Sequence, residues 1–289
     1  MKYIEIVIIV FLLSSFIANG QERTISAGGS ITEIMYEFGL ADEIIAVDSS
    51  SFYPLDATKK PQVGYFRQLS AEGVLSLNPT RIIVSNGAGP DEALNQIERS
   101  GVEVKVFKQE VYDFESWKTY VREIGEYFKL PVKAEAIINR VNRQLDEMGR
   151  LNVESKHDNL KKTKPTAIFL MDLGDRGPVA AGDNTVPDML FELAGIENIV
   201  TDYEGFKPYS SEQLIQFKPD MVVMPSHVVK KLGGQEMICQ NRLIQLTTID
   251  SKCNILVMDG LLALGFGTRI DQAVELLLDN LSASNAHES

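Results

Sequence analysis

The chain has 289 residues. Setting aside a leader of about twenty leaves more than one ordinary core accommodates, and suits two domains of ~100–150 residues each. Apolar residues make up 44% and charged residues 24%, which is globular chemistry and excludes disorder, collagen and a coiled coil. With 28 Lys+Arg against 40 Asp+Glu the formal charge is −12, which opposes a general grip on nucleic acid or anionic lipid but says nothing of local sign.

The first segment reads as a cleaved signal peptide over 1–20. Lys2 supplies the positive start, the apolar run Ile6 to Ile17 is shorter than the ~20 residues that span a bilayer, and Ala18-Asn19-Gly20 offers small residues before a cut near Gly20. No cysteine lies near that cut, which argues against a lipoprotein anchor, and an exported, aqueous compartment follows. From Thr24 onward strand and helix patterns alternate. Thr24 to Ala27, Ile44 to Val47, Arg81 to Val84 and Val102 to Phe107 read as strands. Ser30-Ile31-Thr32-Glu33 reads as a capping box opening a helix that Gly39 closes. Alternation of this kind implies α/β layers on a mainly parallel sheet.

A long connector from Asp48 to Ser70 interrupts that alternation. Compact α/β domains join elements in ~2–6 residues, so a connector of this length is commonly functional. It lies at the carboxyl end of a strand, where open α/β sheets bind ligands. It carries Phe52, Tyr53, Tyr65, Phe66 and Arg67. A phenol beside a guanidinium can favour phenolate, a hard ligand suited to ferric iron, and Arg67 could pair with a ligand carboxylate. The alternative is that Tyr65 only packs the connector onto its domain.

Leu130 to Leu151 carries a helical stripe of Ala134, Ile137, Ile138, Val141, Leu145 and Met148. It divides the chain into an N-terminal lobe (21–129), a linking helix (130–152), a C-terminal lobe (153–283) and a tail (284–289). One stiff helix between lobes implies a nearly fixed spacing with modest hinge motion. The halves repeat at an offset of 140: SAEGVLSLNPTRIIV from Ser70 aligns with SSEQLIQFKPDMVVM from Ser210, pairing Glu72 with Glu212 and Pro79 with Pro219. AGGSITEIMYEFG from Ala27 is more loosely like AGDNTVPDMLFELAG from Ala181. Cys239 and Cys253 either form one disulfide closing a short loop or stay separate buried thiols, and they make a poor zinc site. His157, His227 and His287 are scattered, and no nucleophile–base pair assembles, so an enzyme is not expected. Ala27-Gly28-Gly29-Ser30 fits a tight strand-to-helix turn better than a phosphate loop.

VGYFRQLSAEGVLSLNPT closely resembles the signature of the periplasmic haem-binding proteins that feed bacterial ABC haem importers. AGGSITEIMYEFG, AAGDNTVPDMLFELAG and MDGLLALGFGTRIDQAVELL resemble the same family, so the likeness spans roughly Arg23 to Leu281. The resemblance implies two Rossmann-like α/β lobes joined by a single long backbone helix, with the ligand in the cleft between them. It implies Tyr65 as the axial ligand to ferric haem b, with Arg67 bonding that phenolate or a propionate. Glu72 and Glu212 match the glutamates that meet arginines of the permease dimer, which works with its ATPase; an outer-membrane haem receptor is an upstream source. A monomer is expected, with no nucleic-acid partner. Some relatives supply a second-lobe histidine where this chain has Met171-Asp172-Leu173-Gly174-Asp175. A five-coordinate haem on Tyr65 alone is therefore expected, which puts a two-haem stack in doubt. Lys207, at the repeat position of Arg67, and Arg269 are candidate propionate partners, and His227 could face the cleft. Two alternatives remain: a cobalamin or ferric-siderophore carrier of the same fold, or an exported α/β enzyme using Asp172, Asp175 or His227.

Overall fold

The computed structural model describes residues 22–108, 110–156, 164–173, 177–247 and 253–286. The leader, His157, Asp175 and His287 lie outside the described residues.

Strand β1 (Thr24–Ala27) passes through Gly28 straight into helix α1 (Gly29–Glu37). Gly28 holds φ 137°, and a Cβ there would lie 1.9 Å from Ser85 Oγ, so only glycine fits this turn. The expected capping box does not form: Ser30 already sits in the first helical turn, no side chain caps Gly28, and Glu33 turns elsewhere. Then come β2 (Ile44–Val47), the long connector with two 3-10 turns (Leu55–Lys59 and Phe66–Gln68), α2 (Ala71–Leu75), β3 (Arg81–Ser85), α3 (Asp91–Arg99) and β4 (Glu103–Phe107). The strands form a parallel sheet in the order β2-β1-β3-β4.

Two helices follow, α4 (Phe114–Tyr127) and the long α5 (Pro131–Lys156). On α5, Ala134, Ile137, Ile138 and Val141 are buried, and Leu145 and Met148 pack partly against the same core, as the stripe anticipates. The second half contains β5 (Thr166–Asp172), β6 (Val179–Ala181), α6 (Val186–Ala194), β7 (Glu197–Asn198), β8 (Phe206–Pro208), α7 (Ser211–Phe217) and β9 (Met221–Pro225). It continues with α8 (Ser226–Lys231), α9 (Gln235–Gln240), α10 (Arg242–Thr247), β10 (Ile255–Met258), α11 (Gly260–Leu264) and α12 (Ile270–Ala286). Its sheet runs β10-β9-β5-β6-β8, with β7 also pairing β5.

The parallel set β7-β5-β9-β10 reproduces β2-β1-β3-β4, so the 140-residue offset is a repeat of structure. Ser70 and Ser210 each cap a helix by accepting the N–H three residues on, both at 3.3 Å. Asn78 and Lys218, each just before the matched proline, both take the left-handed conformation (φ 48° and 47°). Burial alternates identically: Ile83 and Val223 face the shared core, while Ile82, Val84, Val222 and Met224 face outward clusters. The looser likeness holds for helices α1 and α6 but not for the strands before them. The strand ahead of α6 is β6, which runs antiparallel to β5, and the antiparallel pair it forms with β8 has no counterpart among the described residues of the first half.

The shared core draws Ile31 and Ile34 from α1, Trp117 and Val121 from α4, Ile137 and Val141 from α5, Phe169 from β5, and Val274 and Leu277 from α12. Each such fully buried side chain contributes ~1.5–3 kcal/mol. This is a two-lobed α/β fold with one long helix between the lobes. Cys239 and Cys253 form a disulfide, which resolves the choice between a bridge and two thiols.

Candidate functional site

The connector after β2 is laced back onto the sheet end. Val47 N–H donates to Pro61 O (2.9 Å), Val63 N–H to Val47 O (3.0 Å) and Ser49 N–H to Gly64 O (2.8 Å). Once the backbone is satisfied in this way, the apolar side chains turn outward: Phe52, Tyr53, Leu55 and Tyr65 are all exposed. Single exposed apolar residues are ordinary, whereas a set on one connector is the feature from which a contact surface is built.

Tyr65 sits on extended backbone just before the turn Phe66–Gln68; the residue is 43% exposed, and its ring lies edge-on to Phe66 at 4.9 Å. Its phenol has no hydrogen-bond partner among the described residues. The Arg67 guanidinium lies 5.0 Å over the same Phe66 ring. It packs against Gly87, where a Cβ would approach Nη1 to 2.6 Å. Among the described residues Arg67 has no hydrogen bond and no ion pair, so phenol and guanidinium flank one aromatic ring with their polar valences open. Such a pair can supply an anionic oxygen to a metal centre and a donor to a carboxylate.

On the second lobe Phe206 is 43% exposed and lies 6.4 Å from Phe169. Lys207 beside it is exposed, with Nζ 5.3 Å over the Tyr203 ring. His227 is exposed in the first turn of α8, beside Gly260, whose Cβ would lie 2.7 Å from its Nδ1. Asp172, at the end of β5, accepts the N–H of Leu173 (2.9 Å). No group of three or more His, Cys, Asp or Glu among the described residues is arranged to hold a metal ion. No helix of the described residues is long and apolar enough to cross a membrane.

Arg269 lies deeper. Its Nη2 donates to Glu33 at 2.9 Å, its guanidinium stacks 3.6 Å over the Tyr53 ring, and its buried Nε has no hydrogen-bond partner among the described residues. Glu33 also accepts Thr268 N–H (2.7 Å) and Thr268 Oγ1–H (3.1 Å). Around them Trp117 Nε1 donates to Gly267 O (2.9 Å), and Arg140 Nη2 donates to Thr268 O (3.0 Å). The GFGTR segment thus pins the second lobe onto α1 and α4 of the first. Sequence reasoning missed Glu33 in this role. The available signal was a carboxylate set between the apolar residues Ile31 and Ile34 of the helix.

Glu72 and Glu212 occupy the same place in the two repeats, each exposed in the first turn of its capped helix. The Ser210 hydroxyl donates to Glu212 (2.8 Å), and that bond holds the Glu212 carboxyl below the usual glutamate range.

Residues 25–252 match the family described as periplasmic binding protein. The chain belongs to that family. The vitamin B12-binding protein of Yersinia pseudotuberculosis serotype O:1b (strain IP 31758) is 27% identical over 219 residues, covering 75% of this chain and 74% of that protein. Among solved structures, the periplasmic heme-binding protein RhuT from Roseiflexus sp. RS-1, in apo form, superposes with TM-score 0.82 at 30% identity, covering 92% of this chain and 99% of its own. The periplasmic heme-binding protein BhuT in complex with two hemes superposes with TM-score 0.80 at 27% identity, covering 92% and 99%. The fold is therefore that of a two-lobed binding protein, and the family is one of carriers and not of enzymes.

Proposed function

We propose that this protein captures ferric haem b in the periplasm and delivers it to an ABC importer, with no chemistry performed on the ligand. The observation that carries this reading is the Tyr65-Phe66-Arg67 unit: an exposed phenol and an unpaired guanidinium on one ring, on a connector fixed at a strand end. Tyr65 is the axial ligand and Arg67 bonds its phenolate or a propionate. Phe52, Tyr53 and Phe206 give the porphyrin an apolar wall. Lys207 is the exposed cation of the second lobe for a propionate, and Arg269 joins it only by exchanging Glu33 for the propionate carboxylate. His227 lines the wall without ligating, which leaves one five-coordinate haem per chain. Glu72 and Glu212 dock on a permease dimer served by its ATPase, an outer-membrane receptor supplies the haem, and the carrier works as a monomer after cleavage near Gly20. The lobes proposed are 21–129 and 153–283.

The test is an absorption titration of the purified protein with hemin. A Soret shift that saturates at one equivalent is expected, and Tyr65→Ala should lose both the shift and the affinity. No shift on hemin addition sinks the haem reading. The relatedness to a vitamin B12-binding protein favours cobalamin as the second reading, so the same protein should be titrated with cyanocobalamin. Tight cobalamin binding without hemin uptake would reverse the assignment.

A further inference from the structure

Asp48, the first residue after β2, is fully buried, yet no cation pairs with it among the described residues. Five donors satisfy it instead. Gly28 N–H (3.0 Å) and Ser51 Oγ–H (2.7 Å) meet Oδ1, while Ser50 N–H (3.0 Å), Ser50 Oγ–H (2.7 Å) and Phe66 N–H (3.3 Å) meet Oδ2. Behind it Ser26, Thr32 and Ser51 chain their hydroxyls at 2.7 and 2.8 Å, so that Ser51 is left to donate to the carboxylate. A buried carboxylate is tolerated only when its lone pairs are filled in this way.

The consequence falls on Tyr65. The peptide before it is held through Gly64 O by Ser49 N–H (2.8 Å). The peptide after it is held on both sides, by Phe66 N–H on Asp48 and by Gln68 N–H on Tyr65 O (2.8 Å). Both planes flanking the tyrosine are therefore anchored to the Asp48 turn, although among the described residues no hydrogen bond reaches its phenol. A ligand held this way loses less conformational freedom on binding, and the groups that orient a metal ligand contribute to affinity without touching the metal.

We propose that Asp48 is a positioning residue for Tyr65, setting the direction in which its phenol meets the iron. The proposal rests on the haem reading and deepens it. Asp48→Ala removes every acceptor. Asp48→Asn turns its amide nitrogen toward the single backbone donor on Oδ1 and keeps an oxygen for Phe66, so it loses less. The mature protein and both variants are titrated with hemin, each also in a Tyr65→Phe background. Asp48→Ala should weaken binding about ten- to a hundred-fold and diminish the phenolate-to-iron charge-transfer band, with Asp48→Asn between it and wild type. Neither change should weaken Tyr65→Phe further. A folded Asp48→Ala protein with wild-type band and affinity overturns the proposal, and so does an equal loss in both backgrounds, which would mean general support of the pocket. Should Asp48→Ala not fold, amide exchange of the ligand-free wild type decides: Phe66 N–H is expected to be protected, and exchange at the rate of a free loop amide overturns the clamp. A wild type that takes up no hemin overturns the haem reading itself, an outcome distinct from wild-type uptake with an indifferent Asp48.

Discussion

Glu33 shows how a single residue acquires its role from a partner far along the chain. Its side chain is 2% exposed and its partners, Thr268 and Arg269, lie 235 and 236 residues away. A Cβ on Gly267 would come within 2.5 Å of the Glu33 carboxyl, so the segment is shaped around that carboxylate. Removing one member of a buried pair leaves the other charged and unsolvated, and among the described residues the Arg269 Nε already has no hydrogen-bond partner. Glu33→Ala is therefore expected to cost about 3–5 kcal/mol, read as a lower urea midpoint with unchanged slope. Glu33→Gln should cost less, because its amide oxygen still accepts from Thr268. The contrast with Tyr65 explains what could be read in advance. Tyr65, Phe66 and Arg67 are neighbours in sequence, so their chemistry was legible as a motif. Glu33 and Asp48 are defined by donors that only folding brings near. Local spacing offered Glu33 a capping partner, and the desolvated carboxylate took the stronger charged donor instead.

At the scale of elements, legibility followed periodicity. The α5 stripe, the parallel strands and the matched pair of capped helices repeat a pattern over many residues, and each was visible in the sequence. The antiparallel β6–β8 pair was not. Its strands are three residues long, and β8 ends in Pro208 at the sheet edge, where proline is tolerated but leaves no alternation to read. Helix α4 offers a test of capping. Asp113 accepts Ser116 N–H at 2.7 Å while the Ser116 hydroxyl accepts Asp113 N–H at 3.0 Å, a reciprocal box. The bond from Ser116 holds the Asp113 carboxyl below the usual aspartate range. A carboxylate whose folded pKa is depressed adds stability above its unfolded pKa and loses it as pH falls through the folded one. Asp113→Ala should accordingly cost about 1 kcal/mol at neutral pH. The gap between variant and wild type should narrow as acid is added from about pH 5 to about pH 2. Paired urea melts across that range check it, and a constant gap would mean the charge plays no part in the cap.

At the scale of the molecule, the formal charge of −12 describes the surface as a whole and is a poor guide to the site proposed above, where Arg67 and Lys207 are exposed cations lying over the Phe66 and Tyr203 rings. The same sum also conceals the two acidic positions proposed above as docking groups. Glu72 and Glu212 sit at equivalent points of two repeated sheets, and the lobes carrying them are pinned by Glu33–Arg269 and by Trp117–Gly267. Two carboxylates on lobes joined this way keep a nearly constant separation, which is what the docking proposed above requires of a two-fold permease that reads both at once. A partner recognised by two charges binds more tightly than either contact alone allows, because the second contact is intramolecular. Reversing both charges, Glu72→Arg with Glu212→Arg, should abolish haem uptake in cells or vesicles carrying the cognate permease while leaving the hemin titration unchanged. Each single reversal should retain part of the uptake, since one carboxylate still engages. Restoring uptake by reversing the facing arginines of the permease would assign the contact to charge and not to shape. Uptake unimpaired in the double variant would remove the docking role, and a weakened hemin titration would show instead that the capped helices α2 and α7 support the cleft.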